Sequence, residues 1–182
     1  MNIILDLLGA SLIGGTVMYL IMNLNIYTTN TKYVSDSELH LQQNAKTLAE
    51  LLNHDLRKIG YKTSGNAIIS AEPKSIAFYS DIDSNGVVDV VKYMLSDSTD
   101  VSSTGNPSDK VLWRIINGDS SKGPSLGITD LQFTYRNSSG AETTALDSIK
   151  FIKAEFWVES PELVDDDYLF TYWEMTINPR NL

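Results

Sequence analysis

The chain has 182 residues, enough for one globular domain with an appendage and a real core. Hydrophobic residues make up 42%, which excludes wholesale disorder. The net charge of -9 argues against nucleic acid and anionic lipid heads as partners, and the absence of cysteine excludes disulfides, thiol catalysis and thiolate metal sites.

The first element is IILDLLGASLIGGTVMYLIMNLN, residues 3–25. No residue from Leu7 to Met22 is charged, and Ile3 to Leu5 extend the run past Asp6. As a helix, residues 3–22 cover roughly 30 Å, about one hydrocarbon core. Three readings fit such a segment: a membrane span or filament core, a cleaved secretory signal, or a buried helix of a soluble protein. A signal asks for a basic stretch ahead of the apolar run and a small-residue cleavage site after it. No Lys or Arg precedes Lys32 and no clean cleavage site follows, so the span or filament core is favoured.

Asp6 is costly inside this run and calls for a partner. In a parallel helix bundle, a neighbour's N-terminal ammonium would serve, and the pair would fix subunit register. The bland reading puts Asp6 in the head-group zone. Ala10 with Gly14, and Ser11 with Gly15, are small-x-x-x-small pairs that permit close helix approach. The glycine pair also permits a local stretch of the helix.

Residues 23–31 are rich in Asn and Thr, poor helix material, so a kink or unwound turn is an open expectation there. Beyond them Leu41, Ala45, Leu48, Leu52, Leu56 and Ile59 form a stripe of period about 3.6, the mark of an amphipathic helix. Gly60 supplies a C-cap, with Arg57 and Lys58 facing the helix dipole.

From residue 65 the texture changes to short alternating runs bounded by turn residues. AIIS (67–70), SIAFYS (75–80), VVDVVKYML (87–95), VLWRIIN (111–117), LQFTYR (131–136), IKAEFWV (152–158) and YLFTYWEMTI (168–177) read as antiparallel strands, mostly in hairpins. Ser138-Ser139-Gly140 reads as a hairpin turn. The expected fold is α+β. An apolar helix spans 1–31, an amphipathic helix continues over 32–62, and an antiparallel β-rich domain fills 63–182, with the Leu41–Ile59 stripe on the sheet.

The sharpest local motif is DIDSNGVVD, residues 81–89. Asp81, Asp83, Asn85 and Asp89 stand at positions 1, 3, 5 and 9 of a calcium-loop pattern, with Gly86 at its turn. Position 12 is Lys92 rather than Glu, so the bidentate ligand is missing, and the flanks read as strands. The favoured reading is a tight hairpin turn at Asn85-Gly86. A calcium-stabilised hairpin is the alternative, compatible with the first, and calcium is the one cofactor with a place in this sequence. DDDY (165–168) is a second acidic cluster, read as a solvated loop tip whose charges a cation would ease.

Catalysis finds little support. The only histidines, His40 and His54, read as solvated positions on the helix. His54 neighbours Asp55, but adjacent helical residues are expected to point apart. No nucleophile elbow or phosphate-cradling loop is present. Trp113, Trp157, Tyr172 and Trp173 fall on strands, where packing is the default and an exposed fraction offers a partner surface.

An acid just inside an apolar helix, an amphipathic helix ending LAELLNHDLRKIGY (48–61), the hairpin SIAFYSDIDSNGVVDVVKYML and the late LQFTYRNSSG together resemble the type IV pilin-like superfamily. The likeness is greatest to minor pilins of the PilW type and J-type pseudopilins of type II secretion. It implies a lollipop of one long helix with a sheet on its C-terminal half. It implies subunits that wait in the bacterial inner membrane, then bundle their helices into an extracellular filament or periplasmic pseudopilus, with themselves and with other pilins. The family's acid corresponds to Asp6, pairing with a neighbour's N-terminus. That acid is usually Glu at the fifth position; counted from Met1 as a mature start, Leu5 stands there and Asp6 follows. The family's precursors carry a short basic leader ending in Gly, and residues 1–182 show none.

The expected function is therefore a structural filament subunit. The alternative is a single-pass anchored ectodomain or tip-located minor pilin that recognises a partner with its aromatic sheet face and acidic loops.

Overall fold

The computed structural model describes residues 3–97, 104–122, 127–164 and 166–182. The chain divides into two compact units, Met1–Leu39 and His40–Leu182. One helix, α1 (Ile3–Arg57), supplies all the described structure of the first unit and the opening of the second.

In the first unit the apolar side chains lie open. Ile3, Ile4, Leu7, Leu8, Leu12, Ile13, Leu20, Ile21 and Leu24 are all exposed. No kink or unwound turn interrupts residues 23–31, and the Gly14–Gly15 pair stays helical. The local chemistry explains the first point. Thr28 donates its hydroxyl to the Leu24 carbonyl at 2.8 Å, and Thr31 to the Tyr27 carbonyl at 2.9 Å. Each hydroxyl finds its acceptor one turn back on the same helix instead of capping a break in it. Ser11 and Thr16 do the same against Leu8 and Ile13.

In the second unit the stripe is buried as the period demands. Leu41, Ala45, Leu48, Ala49, Leu52, Leu56 and Ile59 join both sheets in a single core. The helix ends at Arg57. Lys58 and Ile59 donate to the carbonyls of Asp55 and Leu56, tightening the last turn. Gly60 follows at φ +77°, and its N–H donates to Tyr79 at 2.9 Å. A Cβ at Gly60 would lie 2.9 Å from the Asn181 carbonyl, so glycine is required there for conformation and for space.

The strands form two antiparallel sheets rather than one. The first is a five-stranded meander of β1 (Ile68–Glu72), β2 (Ser75–Ser80), β3 (Asp89–Leu95), β4 (Leu112–Ile116) and β5 (Asp119–Lys122). The second has β6 (Ile128–Arg136), β7 (Phe151–Glu159) and β8 (Phe170–Ile177). Strict alternation on β7 buries Ile152, Ala154, Phe156 and Val158, as period two requires. Leu131, Phe133 and Tyr135 line the inner face of β6. The sheets are joined where Phe133 donates to the Pro73 carbonyl at 2.8 Å and the Tyr135 hydroxyl donates to the Glu72 carbonyl at 2.9 Å.

Two turns differ from expectation. Ser138-Ser139-Gly140 does turn the chain, with Gly140 at φ +82°, but β7 begins only at Phe151. The intervening residues include a single 3-10 turn at Leu146–Ser148. The tight β4–β5 hairpin is made instead by Asn117-Gly118, both at positive φ, the pattern of a two-residue primed turn.

Candidate functional site

The assembly candidates Asp6, Ala10, Gly14 and Gly15 all lie exposed on α1. Ala10 and Gly14, like Ser11 and Gly15, are one turn apart and share a face. A Cβ added at Gly9, Gly14 or Gly15 would meet nothing within 4 Å, so none of these glycines is required by contacts of its own chain. The helix carries an 18-residue window of mean hydropathy 1.8 with none of it buried, long and apolar enough to cross a membrane.

The DIDSNGVVD segment is the polar site. It is not the expected two-residue turn. Strand β2 ends at Ser80 and β3 begins at Asp89, so eight residues form the loop, and Ser84 as well as Gly86 takes positive φ. Carboxylates hold this wider loop open. Asp81 accepts the Gly86 N–H at 2.9 Å, and Asp89 accepts the Ile82 N–H at 3.2 Å. Asp83 accepts the Asn85 N–H at 3.0 Å, and Asn85 in turn accepts that of Val87 at 2.7 Å.

The folded loop brings three carboxylates together. One oxygen each of Asp81, Asp83 and Asp89 lies within 4.8 Å of the others. Asp81 and Asp89 are buried while Asp83 is exposed. Asn85 closes on Asp83, donating its amide at 2.8 Å. Lys62, itself at positive φ, donates its ammonium to one Asp81 oxygen at 2.6 Å. That bond, aided by the Gly86 N–H against the cost of burial, holds Asp81 below the usual carboxylate range. The same bond raises Lys62. The other Asp81 oxygen, Oδ1, is buried with no hydrogen-bond partner. Asn117 donates to Asp89 at 2.7 Å, and a cleft beside the loop is lined by Asp83, Asn85, Asp89, Asn117 and Asp119. Lys92 sits within β3, paired with Ala77 and Ile115, away from any ligand role.

Of the second acidic cluster, Asp165 lies outside the described residues. Asp166 and Asp167 are exposed, and Val164 and Asp167 exchange backbone hydrogen bonds across a tight turn.

A charged site invisible to motif reading lies inside the core. Asp55 is 1% exposed. Its carboxylate accepts the Tyr93 hydroxyl at 2.5 Å, the Arg114 Nε–H at 2.7 Å and contacts His54 Nδ1 at 2.9 Å. His54 and Asp55 therefore do meet, contrary to the expectation from their adjacency, while His54 stays largely exposed. Burial disfavours the Asp55 charge, but Arg114, Tyr93 and His54 outweigh it and hold the carboxyl below its ordinary value. Tyr93 is pushed well above the phenol range, by burial first and then by the Asp55 charge. The sequence carried one signal for this. Asp55 stands three residues after Leu52 and four before Ile59, on the apolar stripe itself.

The outer face of the smaller sheet carries aromatic rings. Trp157 and Tyr172 pack at 5.0 Å between centroids. Phe170 and Tyr172 stand exposed on that face of β8, and Trp173, opposite Phe156, is exposed on the other; β8 pairs only with β7 among the described strands. Tyr172 is raised by its bonds to Glu174 and Glu155, which Lys153 bridges at 3.3 and 3.0 Å.

No protein-family model matches this chain, and no curated protein or solved structure matches it significantly.

Proposed function

We propose that the chain is a structural subunit of a type IV pilin-like filament or pseudopilus, held in the bacterial inner membrane before assembly and bundled with its own copies, or with other pilins, through α1. One observation carries the reading. The first unit is a helix whose large apolar side chains are exposed on every side, a surface that water does not tolerate in isolation. Lipid satisfies it before assembly and neighbouring helices afterwards. Asp6 in its first turns and the Ala10/Gly14 and Ser11/Gly15 pairs suit helix-to-helix contact, with Asp6 as the charge that sets register. Head-to-tail contacts of this kind build an open filament without a closed ring.

A second reading rests on β8. Its exposed Phe170 and Tyr172, on one face with Trp157, suit a partner-recognition surface on an anchored ectodomain or tip subunit.

The two are separated by shearing native cells, imaging the released material by negative stain and identifying the chain by mass spectrometry. Filaments built of this chain, lost in Asp6→Ala, are the expected result. Recovery of the chain only from detergent-extracted membranes overturns the filament reading and favours the second.

A further inference from the structure

We propose that the loop between β2 and β3 is a calcium site, with Asp81, Asp83 and Asp89 as its carboxylate ligands. Two independent observations carry this. The first is geometry. One oxygen from each carboxylate lies within 4.8 Å of the others. Calcium holds its oxygens at roughly 2.4 Å, so three carboxylate oxygens this near to one another can share one ion. The second is a buried oxygen without a partner. Asp81 is 0% exposed, and its Oδ1 has no hydrogen bond. A buried charged acceptor left unmade is costly, and a cation between the carboxylates satisfies it.

Lys62 is the ion-pair partner of Asp81, and the Lys58 ammonium donates to the Ile82 carbonyl at 2.7 Å, so three carboxylates face two ammonium groups and keep an excess of negative charge. The donors are all oxygen, which suits a hard cation and not a transition metal. Asp83 is exposed, giving the ion its entry, and the remainder of roughly six to eight oxygens is supplied by water and loop carbonyls. Lys92 removes the bidentate ligand of the helix–loop–helix sites, so affinity belongs to the weak range of extracellular modules, about 0.1–1 mM. The ion would hold the β2–β3 connection in the wide form that the carboxylates already outline.

The test uses the full chain in nonionic detergent, stripped with a chelator and dialysed. Calcium chloride is titrated by calorimetry, and thermal unfolding is followed with and without about 10 mM calcium. The expected result is one calcium per chain and a rise of several degrees in the unfolding midpoint, larger than magnesium gives at the same concentration. Asp83→Ala is the informative variant, because Asp83 is exposed and its hydrogen bonds stay within the loop. It should fold as the parent does and bind calcium at least about tenfold more weakly. Absence of both heat and midpoint shift in the parent chain overturns the site, as does undiminished binding by folded Asp83→Ala.

Discussion

Tyr93 on β3 donates its hydroxyl to Asp55 on α1 over 2.5 Å, and neither residue is open to water. This bond, with Arg114 on β4 completing the set, is a polar tie between the helix and the five-stranded sheet. The surrounding core is apolar, and apolar packing alone leaves a helix free to slide by small steps along a sheet. A buried carboxylate with fixed donors selects one seating.

Asp55→Ala removes the acceptor and leaves the half-buried Arg114 guanidinium with the Tyr93 hydroxyl in place of a carboxylate. The expected loss of stability is about 3 kcal/mol, read as a lower urea midpoint in nonionic detergent. Arg114→Met in the Asp55→Ala background should recover part of that loss, because the stranded cation goes with its side chain. A double variant no more stable than Asp55→Ala would show that the charge pair is not the source of the effect.

The same carboxylate gives a pH dependence of definite sign. Asp55 is held below its ordinary value of 3.8, so the unfolded chain binds its proton more readily than the folded one does. Its contribution is complete above that ordinary value and is lost as pH falls through the lower, folded value. The stability difference between the parent chain and Asp55→Asn should stay level from neutral pH down to about 4 and shrink below it. Comparing the two chains cancels the titration of the other carboxylates. A difference that changes between pH 7 and 5 instead would contradict the assignment.

Gly60→Ala should cost about 2 kcal/mol, from left-handed backbone strain together with the contact against Asn181. Gly140 also has positive φ but meets nothing within 4 Å, so Gly140→Ala should cost about 1 kcal/mol. Thermal unfolding of the two variants side by side separates strain from crowding. Equal losses would mean that the Asn181 contact yields without penalty.

Much of this fold is legible in the sequence because it obeys simple periods. The stripe from Leu41 to Ile59 predicts the buried helix face, and β2, Ser75–Ser80, is read at its true bounds. What escapes is structure that runs against local composition. Strand β5 is DSSK, with no apolar residue; it exists because Asn117-Gly118 folds it back on β4 as an edge. The strand expected from Val87 begins at Asp89, since Asp81 and Asp89 spend their oxygens on backbone N–H groups and widen the loop. Asp81, Asp83 and Asp89 are found by their spacing and are brought together in space. Asp55 is passed over because an acid in a helix reads as surface; only its position between Leu52 and Ile59 tells otherwise.

Among the described strands, every ladder joins neighbours in sequence, from β1 through β5 and again from β6 to β8. Hairpins of this kind close on microsecond scales without waiting for distant chain. Other contacts reach much further: Asn181 donates its amide to the Ile59 carbonyl at 3.3 Å, across 122 residues. That bond, against Gly60, can form only once the eighth strand has been laid down. The end of the helix is thus closed by a residue that lies beyond the eighth strand, 122 positions further along the chain.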